Sequence, residues 1–293
     1  MQQINANDRD FSTISPSAKL LLILKGITDI PFAREAAELI FSPEEYALYF
    51  KNKDIGFWAR VVHFENRYKS IDQLLSEISV KNVLELSSGF SFRGLNAIKQ
   101  SGIHYIDTDL PNVIAVKKEI LTALQGGNTV TDSQIEILPL NALDENQFNE
   151  ITDRFPDGEI VIINEGLLVY LNTDEKEKLC SIIHNVLKKR GGYWITADIY
   201  IENHDKKAGL NMDDDLQQFF DQHHIEENKF ESFEAAEKFF RKAGFTIDKK
   251  AEPDNTKITT LKYLLENATE EQLLNLRKAG KIQATWRLKV ADN

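Results

Sequence analysis

The segment Val83-Leu84-Glu85-Leu86-Ser87-Ser88-Gly89-Phe90-Ser91-Phe92-Arg93-Gly94 constrains the fold more than any other part of the chain. An apolar run with a β-branched start meets a turn of small residues. A helical pattern follows, with Leu95 and Ile98 on one side and Gly102 where a helix would stop. A second short strand, His104-Tyr105-Ile106, then ends in Asp107-Thr108-Asp109. Strand, tight loop, helix, strand and acid are the parts from which an open α/β sheet builds a seat for a nucleoside-containing ligand. Small residues let backbone N–H groups come close to the ligand. An acid at the tip of the second strand accepts hydrogen bonds from ribose hydroxyls. A plain βαβ unit with a Ser-Ser-Gly turn has the same pattern, so the segment alone says more about fold than about ligand.

A dinucleotide seat wants G-x-G-x-x-G. Here Ser87 stands at the first glycine, Gly89 and Gly94 remain, and no helix N-terminus is clearly freed for a pyrophosphate. S-adenosyl-L-methionine (SAM) carries no phosphate. A single glycine followed by an acid about 20 residues on suits it better.

The chain has 293 residues, enough for one large α/β domain with insertions, and 42% of them are apolar. Formal net charge is -11, from 35 basic and 46 acidic residues, with no basic run. Nucleic acid and anionic membrane are therefore not expected partners. Cys180 is the single cysteine, which excludes an internal disulfide and suits a reducing compartment. The first residues, Met1-Gln2-Gln3-Ile4-Asn5-Ala6-Asn7-Asp8, lack the charged start and apolar core of a signal peptide, and no apolar run reaches spanning length. A cytoplasmic protein is the expectation.

Residues 1–80 read as a helical cap, with helices over Ser17–Lys25, Phe32–Ile40, Pro43–Phe50 and Phe57–Ile78. Residues 81–293 alternate strand and helix. Strands are expected at Val83–Leu86, His104–Ile106, Gln134–Leu138, Glu159–Asn164 and Tyr193–Ala197, with two last ones at Phe245–Ile247 and Ile282–Val290. Glu159-Ile160-Val161-Ile162-Ile163-Asn164 is apolar almost throughout, as a central parallel strand buried on both faces should be. Helices are expected from Pro111 to Leu124, from a cap at Thr173 to Lys189, from a cap at Ser232 to Ala243, and near Leu261–Lys278. Residues 198–230 break the rhythm and read as an acidic, irregular insertion.

Three segments together resemble the leucine carboxyl methyltransferase family of class I SAM-dependent methyltransferases, which also includes bacterial O-methyltransferases. They are Leu84 to Arg93, at the place of the family's glycine motif; Ile106-Asp107-Thr108-Asp109-Leu110-Pro111 with Lys117 downstream; and Asn164-Glu165-Gly166-Leu167-Leu168-Val169-Tyr170-Leu171, the most specific. Ser17-Ala18-Lys19, Trp58-Ala59-Arg60 and Thr285-Trp286-Arg287-Leu288 are similar to other family positions. The resemblance implies a seven-stranded, mostly parallel, Rossmann-like sheet with an N-terminal helical cap, and SAM as cofactor. One departure is Ser87, where the family usually has glycine; a serine fits there if it keeps negative φ.

By the resemblance, Glu85, Ser87 and Gly89 of the glycine motif border the cofactor, and Lys19 and Arg60 grip its methionine carboxylate, Arg60 as a bidentate fork. Of Asp107 and Asp109, one faces the ribose and the other caps the helix opened by Pro111. The position rule for open sheets favours Asp107 for the ribose, while the family segment favours Asp109. Leu143 and Asp144, after the third strand, meet the adenine. Glu165, at the end of a buried strand, takes a site role near cofactor or acceptor, because a buried carboxylate is costly without a partner. Tyr170 orients the acceptor. His204, His223 and His224 read as solvated loop residues rather than metal ligands. Cys180 reads as packing.

The expected reaction is in-line displacement of the sulfonium methyl by an acceptor oxygen of a small molecule or peptide. A carboxylate acceptor, with a pKa of about 4, is already ionised and needs no base. A phenol or alcohol needs one, and no histidine is well placed for it, which favours carboxyl methylation. Met212-Asp213-Asp214-Asp215 suits an anionic substrate only if it points away. Two other classes stay open: a nicotinamide-dependent oxidoreductase, and a methyltransferase-like module that binds without turnover.

Overall fold

A computed structural model of the chain describes residues 15–48, 53–100, 102–125, 134–202 and 223–291. Seven strands form one sheet: β1 (Asn82–Leu86), β2 (His104–Asp109), β3 (Gln134–Pro139), β4 (Ile160–Asn164), β5 (Gly192–Tyr200), β6 (Phe245–Lys250) and β7 (Gln283–Val290). Their order is β3-β2-β1-β4-β5-β7-β6. The pairs from β3 to β5 are parallel, and β7 is antiparallel to both β5 and β6. This is the expected class I methyltransferase sheet. Its strand order reverses between β1 and β4, where an open sheet leaves a crevice beyond its strand ends.

Helices cover both faces. On one, α4 (Ile55–Ser76) lays Ile71 and Leu74 against Val83, Tyr105, Val161, Ile163 and Ile195. On the other, α7 (Glu145–Thr152), α8 (Thr173–Arg190) and α9 (Phe233–Lys242) pack Phe148, Leu179, Ile183 and Phe240 against Leu84, Ile162, Trp194 and Trp286. β1 and β4 are buried along their whole length, which is why they read as unbroken apolar runs. The short α5 (Arg93–Ala97) and α6 (Pro111–Gln125) complete the first two crossovers. The first helices, α1 (Ser15–Lys25), α2 (Ala33–Ile40) and α3 (Pro43–Leu48), pack Leu22, Ile23, Ala36 and Tyr46 into a second cluster with Phe90, Phe92, Val113 and Ile120. The cap thus rests over the loop after β1. The helices α10 (Leu261–Asn267) and α11 (Glu270–Ala279) lie before β7.

Several boundaries differ from the sequence pattern. The strand β2 runs through Asp109, so Asp107 lies inside it rather than past it. The strand β5 continues to Tyr200, three residues into the segment read as irregular. The cap of α8 is Asn172, not Thr173: its side chain accepts from the Glu175 N–H, and the Glu175 carboxylate accepts from the Asn172 N–H. At α9 the cap is Ser232, as expected. His204 and Met212–Asp215 lie outside the described residues. His223 is buried against Tyr170, unlike the solvated residue expected; His224 is exposed.

Candidate functional site

Beyond the ends of β1, β2, β3 and β4 a cleft encloses ≈ 1010 Å³, its open mouth included. Its walls are the loop Ser87–Ser91 after β1, Asp109 and Leu110 at the end of β2, Leu140–Leu143 after β3, and Glu165–Leu167 with Tyr170 and Leu171 after β4. The cap contributes Ser17, Ala18, Leu21, Leu22 and Lys25 from α1, and Arg67 from α4.

The turn after β1 is tight. Ser87 has φ 49° and Gly89 φ 53°, so both lie in the left-handed region. The condition under which a serine would fit freely, a negative φ, is therefore not met, and the Ser87 Cβ makes the conformation costly. The Gly89 N–H donates to Asp109 Oδ2 at 2.7 Å, and a Cβ on Gly89 would come within 3.3 Å of Ala18 Cβ. The loop, the acid of β2 and the cap thus meet at one point.

The two aspartates of β2 have different surroundings. Asp109 lines the cleft and accepts from the N–H groups of Gly89 and Leu110. Asp107 is buried behind it, with Lys117 Nζ 2.6 Å from its Oδ2 and the Ser88 hydroxyl donating to its Oδ1. Burial lifts Asp107 to about 6, with Lys117 pulling against the rise. Of the two aspartates only Asp109 lines the cleft; Asp107, which the position rule favoured, does not. Glu85 is also behind the wall: its carboxylate accepts from the Tyr105 hydroxyl at 2.5 Å and from Arg93 Nε at 3.4 Å. After β3, Leu143 lines the cleft, but Asp144 caps α7 by accepting from the Gln147 N–H at 3.1 Å. The polar residue that lines the cleft there is Asn141, whose Oδ1 accepts from the Leu143 N–H at 3.0 Å.

Glu165 is 8% exposed and sits among three cations. Lys25 Nζ is 2.6 Å from Oε1, Arg67 Nε is 3.0 Å from the same oxygen, and Arg93 Nη2 is 3.3 Å from Oε2. Burial alone would raise this carboxyl, but the three cations outweigh burial and bring it down to about 2. It is an ionised anchor rather than a proton acceptor. Tyr170 lines the cleft and donates to Ser17 Oγ at 3.2 Å; burial raises its hydroxyl.

The cations expected from the sequence do not reach this point. Lys19 is exposed on α1 and Arg60 is half-buried on α4, and neither lines the cleft. Lys25 and Arg67 do. Arg60 and Arg67 are seven residues apart, two turns along one helix face, or about 10 Å. Helical spacing reveals the face but not how far along it the cleft lies. Arg67 is nearly fully buried, and its Nη2 has no hydrogen-bond partner among the described residues. That nitrogen lies beside Gly166, where an added Cβ would sit 3.5 Å from it. A buried donor of this kind fits an anionic ligand group.

Sequence reasoning also missed Asp198. It is 1% exposed on β5 and accepts from the N–H groups of Gly166 at 2.6 Å, Leu167 at 2.7 Å and Leu168 at 3.1 Å, and from Asn164 Nδ2 at 2.6 Å. One carboxylate thereby shapes the loop that carries Glu165 and leads to Tyr170. Cys180 is buried in the core, and burial pushes its thiol up to about 12, in keeping with packing. Among the described residues no group of His, Cys, Asp and Glu could hold a metal, and no helix is long and apolar enough to cross a membrane.

No curated protein matches the chain. Solved structures similar to it include magnesium protoporphyrin IX methyltransferase from Synechocystis PCC 6803 with bound S-adenosylhomocysteine (8% identity, 89% of this chain and 96% of that one, TM-score 0.49). Others are the cyclopropane synthase MmaA2 from Mycobacterium tuberculosis (15%, 75% and 83%, 0.47) and an O-methyltransferase family protein from Burkholderia thailandensis (14%, 95% and 72%, 0.46). Residues 29–184 match the family model for leucine carboxyl methyltransferase. The span contains the loop after β1, both aspartates of β2, Arg67 and Glu165, and with it the chain belongs to the leucine carboxyl methyltransferase family, whose cofactor is SAM.

Proposed function

We propose that the protein is a SAM-dependent O-methyltransferase acting on a carboxylate or hydroxyl oxygen of a small molecule or peptide, with a carboxylate favoured. The observation that carries the cofactor site is the unpartnered Nη2 of buried Arg67, which lines one cleft together with Lys25, Asp109 and Asn141. In this reading Arg67 and Lys25 take the methionine carboxylate, Asp109 the ribose hydroxyls, and Asn141 with Ala142 and Leu143 the adenine. Lys19, Arg60, Glu85, Asp107 and Asp144 fall outside the contact set.

The bound cofactor supplies an electrophilic methyl on a sulfonium. The chain's own task is alignment and exclusion of water. The cap helices α1 and α4 close one side of the cleft, and the loop shaped by Asp198 closes another. Glu165 is ion-paired and held to about 2, and burial raises the Tyr170 hydroxyl. Neither takes a proton readily near neutral pH. An acceptor that arrives ionised suits such a lining, and this supports a carboxylate. The nicotinamide alternative falls with the family match.

The test is calorimetric titration with S-adenosylhomocysteine and with 5′-methylthioadenosine, which lacks the carboxylate. Arg67→Ala and Lys25→Met are expected to weaken the first roughly tenfold or more and to leave the second nearly unchanged. Asp109→Ala is expected to weaken both. Equal losses in Arg60→Ala and none in Arg67→Ala would overturn the assignment. A panel of carboxylic and phenolic acceptors, read by methyl transfer from SAM, decides the oxygen; binding without turnover on any of them would leave a silent module.

A further inference from the structure

The Arg67 guanidinium is held from three directions. Its Nε donates to Glu165 Oε1 at 3.0 Å, its Nη1 donates to the Tyr200 hydroxyl at 3.1 Å, and the ring of Phe64 lies 4.8 Å from its Cζ. Among the described residues only Nη2 is left without a partner. Tyr200, at the end of β5, is itself tied down: His63 Nε2, one turn before Arg67 on α4, is 2.7 Å from the same hydroxyl oxygen.

Donor counting fixes the first bond of this chain and constrains the second. A guanidinium has no acceptor, so Nη1 must donate to Tyr200. The phenol has one proton, and among the described residues His63 is its other hydrogen-bond partner. Giving that proton to His63 Nε2 satisfies all three groups at once, with the imidazole neutral and its own proton on Nδ1. Burial, with the Arg67 charge adding to it, pushes His63 down to about 3, so the ring stays neutral around pH 7. A phenol that gives its proton to an imidazole carries more charge on its oxygen and accepts more strongly from Nη1.

We infer that His63 and Tyr200 are positioning residues for anion recognition: through the hydrogen bond to Nη1 they hold the Arg67 guanidinium so that Nη2 is presented to the ligand carboxylate. The inference rests on the assignment of Arg67 to that carboxylate. His63 acts only through the Tyr200 hydroxyl, and neither residue touches the ligand.

The full chain is titrated with S-adenosylhomocysteine and 5′-methylthioadenosine as wild type, Arg67→Ala, Tyr200→Phe, His63→Phe, His63→Gln and the double variant His63→Phe/Tyr200→Phe, each checked for a cooperative melt. Tyr200→Phe and His63→Phe are expected to weaken the first ligand roughly 3- to 10-fold and leave the second within about twofold. The double variant is expected to be no weaker than Tyr200→Phe alone, because the two residues act in series. His63→Gln, whose amide oxygen accepts the same proton, recovers part of the loss. Equal losses for both ligands, additive losses in the double variant, or no loss where Arg67→Ala shows one would overturn the positioning role and leave the Arg67 assignment standing. An unchanged ligand ratio in Arg67→Ala would overturn both.

Discussion

Lys25 Nζ and Glu165 Oε1 lie 2.6 Å apart, joining the first helix to the end of β4 across 140 residues of chain. Glu165 also neutralises Arg67 and Arg93, so its charge is shared among three buried cations. Glu165→Gln removes the anion that, among the described residues, pairs with all three and is expected to destabilise the fold by about 3 kcal/mol in urea denaturation. Lys25→Met is expected to cost less, because two arginines still hold the carboxylate. A Glu165→Gln protein as stable as wild type would mean that the cluster is already neutralised by other partners.

Ser87 offers the opposite sign. At φ 49° it occupies a region where a side chain is strained. Ser87→Gly is expected to stabilise by roughly 0.5–1 kcal/mol, with the added freedom of the unfolded glycine subtracting from the gain. Thermal melts of the two proteins decide it, and a lower Tm for Ser87→Gly would show that the hydroxyl makes a contact worth more than the strain.

Asp198→Asn is close in size but not in chemistry. The carboxylate faces four N–H donors. An amide would turn its own N–H₂ toward some of them. A loss of about 2 kcal/mol is expected, with faster hydrogen exchange at Gly166, Leu167 and Leu168. Unchanged protection at those three amides would separate the loop's geometry from this residue.

Much of the sheet was legible because its central strands are buried on both faces and their apolar runs are unbroken, as in Ile160–Asn164. The end of β5 was not. Asp198 interrupts the apolar pattern, and a buried acid looks like a surface acid until the donors around it are known. The same limit explains the site. Asp109 and Asp107 share a strand, and Lys25 and Arg67 share helices with Lys19 and Arg60. Periodicity sorts residues by face, whereas the cleft selects them by depth along that face. After β3 the resemblance points to Asp144 with Leu143, yet Asp144 is spent on capping α7 and the cleft is lined by Asn141 instead.

Lys176 gives a pH signature. It is 4% exposed, its Nζ donates to the Asn228 carbonyl, and burial lowers it from 10.5 to about 8. Between about 8 and 10.5 the unfolded chain holds more protons at this residue than the folded one, so its contribution to stability rises with pH across that window and is flat below it. Wild type minus Lys176→Met is expected to shift by about 3 kcal/mol in favour of wild type over that range. Parallel stability–pH curves for the two proteins would show that Lys176 titrates normally.

The place of β7 has a consequence for how the chain reaches its fold. Residues 283–290 fill the gap between β5 and β6, pairing Trp286 with Thr196 on one side and with Lys250 on the other. Until they arrive, the edge of β5 is open and β6 has no strand to join. The parallel half of the sheet can assemble during synthesis, but its antiparallel margin waits for a contact more than 80 residues downstream of β5. A ribosome-bound chain therefore presents Ile195 and its neighbours as an unpaired edge for several seconds at ordinary elongation rates. During that interval the β5 edge is open to pairing with a strand of another chain.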